Sequence, residues 1–275
     1  MKSRRQGLLI AAVVAIALAV PVLAAVLTTS GDAKPPGPTP TTTTPVYGDG
    51  RASEAHDFRL TNLQLPSKAR VPGVISFEIL DAAARPVTTM IRERSRLLHV
   101  YVVRDDYSAF RHVYPRLTNG TWTTPLTLPA GGNYRAIAEF TVDAGDHNDH
   151  IYLASEASVP DSAGAGPQMR AKDRAIEVSI EGANRASESG WLTLRVAHRD
   201  GGRAKLGPTV QVTAFHQLTG AIARLQPVGS LTADGDVSTV QLSTAGFRMA
   251  GLYMFFVEVR VAGELHTLRV VEQVG

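Results

Sequence analysis

From about His56 onward, apolar positions either alternate with polar ones or gather in short runs rich in Val, Ile, Phe and Tyr. Residues 74–80, 97–103, 110–114, 134–142 and 150–157 form one series, and 175–180, 192–197, 210–216, 238–242, 251–261 and 265–271 form a second. Alternation with period two puts successive side chains on opposite faces of a strand, so these runs read as β. Asn119-Gly120, Ala130-Gly131-Gly132, Asp200-Gly201-Gly202 and Ala233-Asp234-Gly235 fall between them. The Asn-Gly and Asp-Gly pairs tolerate the positive φ that tight hairpin turns demand. No long amphipathic helical stripe competes. The pattern predicts an all-β chain of two tandem immunoglobulin-like β-sandwich domains, with about seven strands each.

The two series are copies of one unit. Residues 97–115 align on 209–227 without a gap, with Leu98-His99-Val100-Tyr101-Val102 on Val210-Gln211-Val212-Thr213-Ala214 and Pro115 on Pro227. Upstream, Ile75-Ser76-Phe77-Glu78-Ile79 matches Leu192-Thr193-Leu194-Arg195-Val196. Downstream, residues 134–140 match 253–259, with Tyr134 on Tyr253 and Glu139 on Glu258. The repeat is a whole domain rather than a short solenoid period. The Ser/Ala/Gly/Pro-rich stretch 160–166 suits the join, which divides the chain into a first domain at 51–162 and a second at 163–275.

The N-terminal 33 residues follow another pattern. After Lys2, Arg4 and Arg5, residues 7–27 carry no charge or strongly polar group. As a helix, such a run is long enough to cross a hydrocarbon core of ~30 Å, and its basic flank holds the extreme N-terminus in the cytoplasm. The length favours a retained single-pass membrane anchor with the domains outside the cytoplasm. Pro21 and the small-x-small sequence Val22-Leu23-Ala24 leave secretion after signal cleavage as the alternative. Residues 34–50 include a Pro/Thr-rich run whose prolines remove amide donors, so the stretch reads as an extended stalk. The chain has no cysteine, which excludes disulfides, thiolate metal sites, cysteine nucleophiles and a lipidated cysteine.

Charge adds little, at a net +3. Arg92, Arg94 and Arg96 alternate and could meet an anionic partner from one face, although such a cluster is more often a solvated edge. No nucleic-acid motif accompanies them, and no nucleic-acid partner is expected. No Gly-x-Ser-x-Gly elbow, phosphate loop or His-Glu-x-x-His helix is present, so no catalytic residues are assigned and the chain reads as a non-enzyme.

The candidate chemistry lies in the first domain. If 98–104 and 110–114 pair around Asp105-Asp106-Tyr107-Ser108, His99 lies nearly opposite Tyr114 and diagonal to His112. Opposed Cβ atoms are ~5 Å apart and diagonal ones ~7–8 Å, within reach of one metal ion. His99, His112 and Tyr114 are therefore the candidate metal ligands, for copper or zinc as imidazole ligation suggests. The second copy has Gln211, Arg224 and Gln226 at these positions. His147, Asp149 and His150 form a smaller cluster that an exposed hairpin loop also explains.

The string Leu98 to Asp105, Phe110-Arg111-His112-Val113-Tyr114-Pro115, Gly120-Thr121-Trp122 and Gly132-Asn133-Tyr134-Arg135 resembles a group of uncharacterised exported actinobacterial proteins, some labelled heavy-metal-binding. That group typically shows His-x-His-Pro where this chain has His112-Val113-Tyr114-Pro115, so Tyr114 replaces one histidine. The resemblance implies an exported protein and leaves two expectations. One is an extracytoplasmic, membrane-tethered binding module without catalytic activity, whose partner is another envelope protein or the cell wall. The other is an envelope copper- or zinc-binding protein.

Overall fold

The computed structural model describes residues 44–162, 176–182, 185–186, 188, 190–199, 206–244 and 247–275. The hydrophobic N-terminal segment, residues 34–43 of the stalk and most of the expected inter-domain join lie outside them.

The first domain contains β1 (Val46–Tyr47), β2 (Glu54–Ala55), β3 (Phe58–Gln64), β4 (Gly73–Leu80), β5 (Leu98–Arg104), β6 (Phe110–Val113), β7 (Arg116–Thr118), β8 (Thr121–Leu126), β9 (Gly132–Asp143) and β10 (Asn148–Val159). They form two sheets, ordered β2-β3-β4-β8-β7 and β1-β10-β9-β5-β6. Trp122, Phe77, Ile75, Leu98 and Tyr134 pack between these sheets. Apart from the two-residue strands β1 and β2, this is the immunoglobulin arrangement, with β3, β4, β8 and β7 in one sheet and β10, β9, β5 and β6 in the other. The stalk was expected to run to residue 50, yet Val46 and Tyr47 pair in parallel with His150 and Ile151. Their amides are free once Pro45 is passed, and the Pro45 carbonyl itself accepts from the His150 amide at 2.9 Å.

The second domain repeats the plan with β11 (Ile176–Glu181), β12 (Gly190–His198), β13 (Leu206–His216), β14 (Ile222–Asp234), β15 (Val237–Thr244), β16 (Gly251–Val261) and β17 (Glu264–Val274). Their order is β11-β12-β15-β14-β13-β16-β17. Here the strand equivalent to β6 and β7 is continuous. β14 pairs with β13 from Ile222 to Leu225 and with β15 from Leu225 onward, so it joins what are two sheets in the first domain. In the first domain the chain instead crosses between sheets at Tyr114-Pro115, the equivalent of Gln226-Pro227.

Both copies share a second mark of the fold. The Tyr134 hydroxyl donates to the Ala130 carbonyl at 2.7 Å, and the Tyr253 hydroxyl donates to the Met249 carbonyl at 3.0 Å. Each tyrosine opens the strand equivalent to immunoglobulin strand F and ties it to the corner four residues earlier, the tyrosine corner of these sandwiches. The expected Asn119-Gly120 hairpin also forms, with φ of 51° and 83°.

Strand alternation then produces a docking face. In β9, Tyr134, Ala136, Ala138 and Phe140 enter the first core, while Ile137 and Glu139 point away from it. In β16, Tyr253, Phe255, Val257 and Val259 enter the second core, while Met254, Phe256 and Glu258 point away. Tyr101, Val103, Phe110, Tyr152, Phe215 and Ile222 join Ile137, Met254 and Phe256 in a third apolar cluster between the two domains. The rings of Phe110 and Phe256 stack at its centre, 4.4 Å apart and 7° from parallel.

Candidate functional site

The polar residues of this docked face follow the repeat. Cross-strand register sets His99 beside Glu139 in the first domain and Gln211 beside Glu258 in the second. It likewise sets Tyr101 beside His112 and Thr213 beside Arg224. Each glutamate then reaches across to the other copy's residue at this second position. Glu258 accepts from His112 Nδ1 at 2.8 Å, and Glu139 pairs with Arg224 Nε at 3.3 Å. Val103 and Phe215, Phe110 and Ile222, and Ile137 and Phe256 are equivalent pairs within the apolar cluster. The contact is thus reciprocal, the same patch on both partners, as in a two-fold dimer made within one chain.

Around Arg224 the groups form a buried ionic network. Glu139 accepts from the Tyr101 hydroxyl, from Tyr152 at 3.2 Å and from His150 Nε2 at 2.9 Å. Glu93 pairs with Arg224, accepts from the Thr141 hydroxyl and lies 3.2 Å from His150 Nδ1. Burial works against the ionised form of both carboxyls, but the His150 hydrogen bond and the Arg224 charge outweigh it and hold both well below the ordinary carboxylate range. Burial also opposes the charged form of His150, yet its bonds to Glu139 and Glu93 raise it above the ordinary imidazole value. Burial and the Glu139 charge push the Tyr101 and Tyr152 hydroxyls far up, so both stay neutral donors.

Glu93 enters this network from a strained turn. Glu93 and Arg96 exchange two backbone hydrogen bonds of 2.8 Å around Arg94 and Ser95, whose φ values are 46° and 67°. Two consecutive non-glycine residues in the left-handed region cost ~1–2 kcal/mol each. The turn sends Glu93 toward Arg224 and Arg96 over the Tyr114 ring, 4.6 Å from its centre.

The candidate metal residues come together. His99 Nδ1 lies 3.0 Å from His112 Nε2, and the Tyr114 ring centre is 5.2 and 4.7 Å from their rings. The Tyr114 hydroxyl, however, is turned to the second domain, where Gln211 Nε2 donates to it at 2.7 Å. His112 has both nitrogens engaged and its side chain is 2% exposed. Burial lowers His99 below the ordinary imidazole value. The loop cluster divides: His147 Nε2 and His56 Nε2 face Asp149 at 3.1 and 3.4 Å, while His150 points the opposite way into the ionic network. Glu93, Glu139 and His150 have ligand atoms mutually within 4.8 Å, but the Arg224 guanidinium already lies among them, with Nη1 3.0 Å from both His150 nitrogens.

Sequence reasoning did not select Glu93, Glu139, Arg224 or Glu258. The available signal was a charged residue flanked by apolar ones in both copies of one strand, Ala138-Glu139-Phe140 and Val257-Glu258-Val259.

Strand order, tyrosine corners and reciprocal docking define a two-domain protein of the immunoglobulin-like β-sandwich class. No family model and no curated protein matches the chain. Among solved structures, it resembles Escherichia coli alpha-2-macroglobulin activated by porcine elastase, with 13% identity, 81% of this chain and 22% of that one covered, and a TM-score of 0.27. It also resembles the Escherichia coli adhesin FdeC, with 14% identity, 80% and 64% covered, and a TM-score of 0.27. The Dpr2 Ig1-Ig2 complex with DIP-Theta Ig1-Ig3 gives 8% identity, 79% and 64% covered, and a TM-score of 0.22. The chain therefore spans about a fifth of the first of these proteins and under two thirds of the others.

Proposed function

We propose that this chain is an extracytoplasmic, membrane-tethered interaction module without catalytic activity, which meets another envelope protein or the cell wall. The observation that carries the reading is the mutual docking of the two domains. The faces bearing His99, His112, Glu139, Glu258 and Arg224 are occupied by each other, so these polar groups act in holding the domains together. Binding then falls to the outer surfaces, such as the β2-β3-β4-β8-β7 sheet with exposed Arg59, Val74, Arg116 and Thr118. The apolar N-terminal run and the stalk, read from sequence, support tethering. Fractionation of cells making the full chain, combined with protease shaving and cross-linking, tests the reading. A membrane-bound, externally cleavable protein cross-linked to an envelope component is expected. A cytosolic chain would overturn it, and a chain found entirely in the medium would replace the anchor by cleavage.

One observation favours a second reading, an envelope copper- or zinc-binding protein. The facing His99 and His112 nitrogens, with Glu258 behind His112, resemble a carboxylate-oriented imidazole ligand pair. The pair falls short of the three or four protein ligands of most zinc sites, and the Tyr114 hydroxyl is held by Gln211. Calorimetric titration of the full chain with copper and zinc decides it. Equal heats from the native protein and the His99→Ala, His112→Ala variant would discard the metal reading.

A further inference from the structure

In the first domain the chain crosses from one sheet to the other at Tyr114-Pro115. An open groove of about 660 Å³ runs there, lined by Arg96, His112, Tyr114, Arg116, Thr118 and Thr123 among others. Its size is that of a ligand cleft. None of its lining residues is Asp or Glu. Among the described residues neither Arg96 nor Arg116 has a carboxylate partner, and the hydroxyls of Thr118 and Thr123 make no hydrogen bond.

We propose that this groove binds an oxyanion, phosphate or sulfate. A guanidinium offers a planar fork of N–H donors that matches two oxygens of such a group, and hydroxyls beside it supply further donors. Three features indicate a built site rather than scattered surface charge. Arg96 is braced on the Tyr114 ring, and Tyr114 is fixed by Gln211 of the second domain. The strained Arg94-Ser95 turn directs Arg96 to that position. Arg116 and Thr118 share the outer face of β7, with Thr123 opposite Arg116 on β8. The groove belongs to the first copy alone, because the second has Gln226 and Val228 where the first has Tyr114 and Arg116. Docking of the domains and the anion groove are thereby linked through the Tyr114–Gln211 bond.

The inference deepens the interaction-module reading by naming a ligand chemistry. It is tested separately from location, so its failure leaves that reading standing. The full chain, held in a zwitterionic detergent, is titrated calorimetrically with inorganic phosphate, inorganic sulfate, a polyphosphate chain and heparin. Saturable binding is expected, tighter for the phosphate pair if phosphate is the recognised group and for the sulfate pair if sulfate is. The Arg96→Gln, Arg116→Gln variant should bind at least tenfold more weakly, and Arg260→Gln, a charge-matched change in the second domain, should bind as the native protein does. Arg116→Gln alone removes an exposed side chain without touching Tyr114 and should show part of the loss. No binding of any of the four, an undiminished affinity in the double variant, or an equal loss in Arg260→Gln would each overturn the proposal.

Discussion

The two docked faces use the same strands and the same glutamate, but they answer it with different partners. In the first domain Glu139 is met by Arg224, a group that stays charged at any physiological pH, together with His150, Tyr101 and Tyr152. In the second domain Glu258 is met by His112, whose other nitrogen faces His99. One half of a reciprocal contact has thus become a permanently ionic network, and the other a histidine pair. The register that aligns His99 with Gln211 and His112 with Arg224 is intact, and only the side chains differ.

The largest effect is expected where the comparison is apolar. Phe110→Ala removes a ring stacked on Phe256 and should destabilise the protein by ~3–5 kcal/mol in chemical denaturation. A loss within ~0.5 kcal/mol would mean that the domains are not docked in solution. Arg224→Met comes next, because it removes the guanidinium shared by buried Glu139 and partly buried Glu93 and leaves them His150 and hydroxyl donors alone, at a cost of ~3 kcal/mol. The corresponding His112→Met should cost less, since Glu258 loses one bond; the reverse order would invert the comparison. Tyr134→Phe and Tyr253→Phe each remove one hydrogen bond to a corner carbonyl and should each cost ~1 kcal/mol in thermal melts. Equal values would confirm that the corner is equivalent in the two copies.

Titration sharpens the comparison further. Glu93 and Glu139 are depressed below their ordinary 4.5, so their stabilising contribution is complete above that value and is lost as the pH falls through the depressed values. His99 is lowered below 6.5, so the unfolded chain gains a proton first and stability falls as the pH drops from there. His150 is raised above 6.5, so its contribution is full below that pH and is lost as the pH rises through its raised value. His99→Gln, which copies the second domain's residue, should therefore flatten the decline that begins just below pH 6.5. An unchanged profile would remove His99 from the account.

Much of the fold was legible because central strands are long and patterned. β4, β5, β9, β12 and β16 all fall on recognised apolar runs, and Asn119-Gly120 marks its hairpin. β3 and β8 went unread because Asn62 and Pro125 interrupt short sequences that sit on a half-exposed sheet. β14 went unread for a related reason, with Pro227 and Gly229 inside a strand that changes partners midway. Docking was not legible at all. Strands buried on both faces lose the alternation that would show which side faces a second domain. His99 and His112 were found because a hairpin fixes local register, whereas Arg224 reaches Glu93 and Glu139 from a domain more than eighty residues away in sequence.

The central claim is that the two sandwiches are locked face to face through reciprocal pairs, and a double-mutant cycle on Glu139 and Arg224 tests it most directly. Denaturation free energies are measured for the native chain, Glu139→Gln, Arg224→Met and the double variant. Reciprocal docking predicts that the double variant loses less than the sum of the singles, by ~1–3 kcal/mol, because each residue stabilises the other. Losses that add within ~0.3–0.5 kcal/mol would place the two residues out of contact and contradict the docked arrangement.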